Sequence, residues 1–106
     1  MSFIAVFITV SAEEEALRIA RSLVERRLAA CCNLLGGVRS IYRWQDRVED
    51  SIEVLLVVKT RRECFEALQA EVTRLHSYSV PEIVALPIEA LSEAYRLWLQ
   101  DSTATK

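Results

Sequence analysis

The sequence predicts an α+β fold: a ferredoxin-like βαββαβ antiparallel sheet with a further helix at the C-terminus. Three observations carry that prediction. Strand-like apolar segments alternate with amphipathic helical ones in the order β-α-β-β-α-β. The first and third strands are continuously apolar, as strands buried on both faces are, and the second and fourth are not. The 106 residues are 52% apolar and 26% charged, with only two glycines and two prolines, so long regular elements must be joined by few breaks.

Each element has its own local cause. Phe3–Val10 is β-branched and aromatic throughout and too short for a typical helix, which makes it a central strand. Ser11 and Glu14 form a capping box, and Glu13–Glu15 place negative charge on a helix N-terminus. The helix predicted from there to about Ala29 or Ala30 keeps Leu17, Ala20, Val24 and Leu28 on one face. Cys31–Leu35, Gly36–Gly37 and Val38–Trp44 read as one long strand with a bulge at the glycines. Within it Val38, Ser40, Tyr42 and Trp44 alternate with Arg39, Ile41 and Arg43. Gln45–Asp50 is polar enough for a hairpin tip, and Ser51–Thr60 is the return strand around the apolar run Val54–Val58. Thr60 and Glu63 form a second capping box, opening a helix that buries Phe65, Leu68, Val72 and Leu75. The last strand, Glu82–Ile88, carries Pro87, which removes a ladder donor and assigns the strand to an edge. Ser92 caps a third helix bearing Tyr95, Leu97, Trp98 and Leu99, and the Ser102–Lys106 tail is expected to fray. Strands one and three then lie in the middle of the sheet, right-handed crossovers put both main helices on one face, and residues 1–106 form a single domain.

Composition excludes several function classes. The net charge is -2 and no Lys/Arg run is longer than a pair, so no nucleic-acid partner is expected. Scarce glycine excludes a phosphate loop, and neither a Ser-His-Asp arrangement nor an HExxH motif occurs, so no enzyme and no catalytic residue are predicted. The apolar N-terminal run is too short to span a bilayer and has no basic residue before it, which predicts no membrane partner. Cys31, Cys32 and Cys64 are an odd number without CxxC spacing, a pattern suited to reduced thiols in the cytoplasm. The long aromatic second strand at a sheet edge would leave backbone groups unpaired. Pairing it with the final strand of another copy joins two different surfaces, and such a contact closes naturally into a ring such as a homotrimer.

His76 is the one imidazole and the leading metal-ligand candidate; alternatively it satisfies carbonyls at a helix C-terminus. Cys31 is a candidate soft ligand or a small core residue, and strand alternation turns neighbouring Cys32 to the opposite face. Cys64 falls in the first turn of a helix, where an exposed thiol would be reactive. Tyr42, Trp44, Lys59, Tyr78 and Glu82 form a second set. As a pocket with aromatic walls, one ammonium and one carboxylate, it suits a small anionic or zwitterionic ligand. Alternatively the rings are interface anchors and Lys59–Glu82 is a structural ion pair.

The stretches Arg26–Asn33, Gly37–Trp44, Glu53–Thr60, His76–Ile83 and Leu86–Ile88 closely resemble the CutA divalent-cation-tolerance family, in family order and spacing over nearly the whole chain. Cys31 matches the family cysteine; Ser77, Ser79 and Cys32 depart from the usual family residues. The resemblance implies a homotrimer, cytoplasmic in bacteria, related in architecture to PII signalling proteins and without an established catalytic reaction. It further implies tolerance to divalent metals, copper especially, with a weakly bound divalent cation and no organic cofactor. The alternative is a PII-like signalling or scaffold protein that binds a small molecule or partner in the cleft between subunits.

Overall fold

The first strand, β1 (Phe3–Val10), sits between two partners because its apolar residues leave no face for water. In the computed structural model, which describes residues 2–103, it is followed by α1 (Glu13–Glu25), β2 (Cys31–Trp44) and β3 (Arg47–Arg61). A 3-10 turn at Arg62–Cys64 leads into α2 (Phe65–Leu75), and β4 (Ile83–Pro87) and α3 (Glu93–Ser102) complete the order. The sheet order is β2-β3-β1-β4 with every pair antiparallel, which is the predicted arrangement of central and edge strands. Ile4, Val6, Ile8 and Val10 of β1 and Val54, Leu56 and Val58 of β3 point alternately to one face. There they meet Ile19 and Leu23 of α1 and Leu68 and Val72 of α2.

Local chemistry departs from the sequence expectation at both helices. Ala12 occupies the N-cap of α1 without a side-chain cap, and the Ser11 hydroxyl bonds Tyr78 instead. The buried stripe of α1 is Ala16, Ile19, Ala20 and Leu23, whereas Leu17 and Val24 are exposed. The helix stops at Glu25, so Leu28 never joins the expected stripe. Arg27, at φ 61°, makes the left-handed step that glycine usually provides. The Leu28 and Ala29 N–H groups then donate back to the Leu23 carbonyl at 2.9 and 3.1 Å. Thr60 does not cap α2; β3 continues through it, and its hydroxyl donates to the Leu28 carbonyl at 2.7 Å. The two main helices are joined by Glu71, whose carboxylate accepts from Arg74 at 2.7 Å and Ser22 at 2.5 Å, with Arg26 at 3.4 Å.

The hairpin is longer than expected. Gln45 and Asp46 both have positive φ, 50° and 65°, the geometry of a two-residue turn whose twist matches the strands. Consequently β3 begins at Arg47, not Ser51. Since β1 ends at the pair Val10–Val54, residues 47–53 pair only with β2 and form an arm beyond the sheet. The predicted bulge lies at its root, between Leu35 and Val38, with Gly37 at φ 70°. Arg39 braces the arm by donating twice to Asp50, at 2.9 and 2.7 Å.

Ser92 caps α3 as predicted, its hydroxyl accepting from Tyr95 N–H at 3.3 Å. Leu99 packs with Phe3 and Ala30 in a second small core. Thr103 is fully buried rather than frayed: Arg61 Nε donates to its hydroxyl at 2.9 Å and the guanidinium also reaches its carbonyl. The remainder of that predicted tail, residues 104–106, lies outside the described residues.

Two outcomes follow. Leu99→Ala should lower stability by about 2–5 kcal/mol, the usual cost of emptying a filled core site. An unchanged urea midpoint would contradict the docking of α3. Hydrogen bonds from Arg74 and then Ser22 lower the Glu71 carboxyl from 4.5 to about 2. A depressed folded-state value means stability gained above the unfolded value and lost as pH falls through the folded one. Glu71→Gln should therefore flatten the loss of stability between pH 4.5 and about 2, and superimposable pH profiles would refute this.

Candidate functional site

After α2 the chain crosses the end of the sheet in a loop, residues 76–82, held by one imidazole. His76 Nε2 donates to the Thr9 carbonyl at 2.8 Å, and Nδ1 accepts from Tyr78 N–H at 3.1 Å. These partners define the neutral Nε2–H tautomer. Glu15 accepts from Ser77 N–H at 2.7 Å and lies 3.5 Å from Nδ1. The His76 side chain is 0% exposed and its ring packs on Tyr78 at a centroid distance of 4.8 Å. Both ring nitrogens are therefore occupied, and a metal ion would reach His76 only if the loop left these contacts.

Cys31 lies elsewhere. It pairs with Lys59, which pairs with Ala5, four residues along β1 from Thr9. At the rise of an extended strand that is about 13 Å from His76's partner. The structure thus does not bring the two predicted metal ligands together, and among the described residues no three His, Cys, Asp or Glu side chains gather as a metal site. The half-exposed Cys31 thiol donates to Asn33 Oδ1 at 3.7 Å, and the Lys59 ammonium donates to the same oxygen. Burial, with Cys31 as a second cause, pushes the Cys32 thiol up to about 12, and its sulfur faces the Ala20 carbonyl at 3.9 Å. Cys64 is buried, which removes the exposure that reactivity would need.

Between the β2–β3 arm and the 76–82 loop lies a cleft of about 710 Å³. Tyr42, Trp44, Tyr78 and Glu82 all line it, so four of the five residues assigned to a pocket do meet. Period-2 alternation on β2 puts Tyr42 and Trp44 on one side, and Pro81 turns the loop toward β4. Lys59 is not among them, and the expected Lys59–Glu82 ion pair is not formed within the chain; Glu82 accepts from the Thr9 hydroxyl at 3.3 Å. The physical reason is register, because Lys59 lies six residues up β3 from the cleft.

Glu53 occupies the cleft instead, a residue that the sequence reasoning missed. It is only 4% exposed and accepts from the Tyr78 hydroxyl at 2.6 Å. The available signal was a carboxylate set directly against the apolar run Val54–Val58. Burial first, then the Glu53 bond, holds the Tyr78 hydroxyl well above the usual tyrosine range, so it stays a donor. Ile41, Val80 and Pro81 supply apolar wall, and no Lys, Arg or His lines the cleft among the described residues. Tyr78→Phe leaves a buried carboxylate without its donor and should destabilise the protein by about 1–3 kcal/mol in chemical denaturation. An unaltered midpoint would mean that water replaces the hydroxyl.

The family model for the CutA1 divalent ion tolerance protein matches residues 4–102. The chain is 52% identical over 98 residues to a divalent-cation tolerance protein CutA of Thermus thermophilus, covering 92% of this chain and 95% of that one. It is 42% identical over 100 residues to a chloroplastic protein CutA of Arabidopsis thaliana, covering 94% of this chain and 55% of that longer protein. A solved structure of the Thermus thermophilus divalent cation tolerance protein superposes with a TM-score of 0.94 at 50% identity, covering 96% of this chain and 99% of that one. With the family match spanning nearly all of the sheet and helices described above, the chain belongs to the CutA1 divalent ion tolerance family.

Proposed function

We propose that this protein contributes to divalent-cation tolerance as a ring-shaped homotrimer that binds copper weakly, with ligands drawn from more than one copy. The observation that carries this reading is the dispersal of its candidate ligands within one chain. Cys31 and His76 stand at different ends of β1, and a closed metal site needs about four ligands. The arm supports the ring. Ile41, Val48 and Ile52 are 67%, 67% and 60% exposed on a strand pair that has no second neighbour among the described residues, a surface suited to another copy. Cys31 is partly exposed and a thiol suits soft Cu(I), whereas burial pushes the Cys32 thiol up and His76 holds the loop.

No catalytic step belongs to this reading. No helix among the described residues is long and apolar enough to cross a membrane. The unpaired thiols suit a reducing compartment such as the cytoplasm. A second reading is favoured by the cleft itself: a PII-like role in which a small molecule binds between subunits, beside Tyr42, Trp44, Tyr78 and Glu82.

Copper titration of the intact protein tests the first reading. Cys31→Ala should weaken binding at least about tenfold, or about 1.4 kcal/mol, and His76→Ala should chiefly lower stability. Equal affinity in Cys31→Ala and the parent protein would overturn the metal assignment. Sedimentation equilibrium at micromolar concentration should give three chains per particle, and a monomer would overturn the ring.

A further inference from the structure

We propose that the cleft binds a small organic cation, with a primary ammonium group seated against Glu53 and an apolar body between Tyr42, Trp44 and Tyr78. The inference rests on the second reading above and names its ligand class. It reverses the sign expected from sequence, because the one ammonium assigned to the pocket, Lys59, is held at Asn33 instead.

The first support is charge. Three glutamates are buried: Glu15, Glu53 and Glu71. Glu71 is answered by Arg74, Arg26 and the Ser22 hydroxyl. Glu15 lies in the first turn of α1, where the helix dipole favours a negative group, and accepts from Ser77 N–H. Glu53 has only the Tyr78 hydroxyl, and no ion pair reaches it among the described residues. A carboxylate removed from water is costly unless a counter-charge or several donors replace its hydration. The chain has 13 Lys and Arg residues, yet none among the described residues lines this cleft, while Glu82 adds a second carboxylate.

The second support is the wall. Three aromatic rings line the same cleft as the carboxylates, and ring faces attract a cation, more strongly once it is desolvated. Ile41, Val80 and Pro81 add apolar surface that has nothing to offer a bare metal ion. A hard divalent ion needs six or more oxygens, and no three metal-ligating acidic, His or Cys groups converge here among the described residues. A cleft of about 710 Å³ lies within the range of small-molecule sites.

Calorimetric titration of the full chain with 2-phenylethylamine, its neutral isostere 2-phenylethanol and the anion 3-phenylpropionate tests the assignment. The amine should bind at least about tenfold more tightly than the alcohol, and Glu53→Gln should abolish that preference while retaining an acceptor for Tyr78. In the unmodified protein the indole N–H resonance of Trp44 should shift with added amine and that of Trp98 should not, a reading that needs no variant. Preference for 3-phenylpropionate would overturn the cation and leave the effector reading standing. Binding of none of the three, or equal binding of amine and alcohol, would overturn the proposal. So would a Glu53→Gln protein that falls apart into monomers when the parent binds no amine, because the missing cation would then come from a neighbouring copy.

Discussion

The arm formed by the ends of β2 and β3 extends beyond the sheet and supplies one wall of the cleft. Among the described residues, 47–53 have one strand neighbour and the other edge of β2 faces no strand of its own chain. A two-stranded ribbon alone in water is marginal, and an unprotected edge invites pairing with another chain. The arm nonetheless has firm local causes: a tight turn at Gln45–Asp46, a bulge at Gly36–Gly37 that re-aims β2, and the Arg39–Asp50 brace. The homotrimer proposed above would give the arm a second neighbour, and the same extension creates the wall that carries Tyr42 and Trp44 over the end of the sheet.

The loop opposite is fixed from inside the chain. His76 and Glu15 tie its first turn to β1 and α1, and Tyr78 ties it to Glu53 on β3. The cleft thus has one wall pinned to the core and one wall on the arm. The thiol end of the sheet is separate. Cys31, Asn33 and Lys59 cluster beside Tyr95 of α3 rather than beside the cleft. The thiol proposed for copper and the cleft proposed for an organic cation therefore lie at opposite ends of the sheet, and each is open to separate mutation.

Much of this was legible in the residues. Continuous apolarity singled out β1 and β3 as central, Pro87 marked β4 as an edge, and the glycine pair located the bulge. The period-2 pattern through Tyr42 and Trp44 put both rings on one face. Three things were hidden, each for a physical reason. Arg27 adopts a left-handed conformation that no glycine advertises, so the end of α1 and its buried face were misread. Ser11 and Thr60 had the composition of caps, but tertiary partners, Tyr78 and the Leu28 carbonyl, took their hydroxyls. Lys59 and Glu53 share a pleat face, so only the register shows which of them reaches the cleft.

Hydrogen exchange along the arm reports whether another copy covers it. In an antiparallel edge strand, half of the N–H groups point away from the neighbouring strand, and in an isolated chain these groups on β2 residues 38–44 would be open to water. At micromolar concentration they should exchange as slowly as the amides of β1 if the proposed neighbouring copy covers them. Exchange within seconds at those positions, with β1 protected, would contradict that coverage.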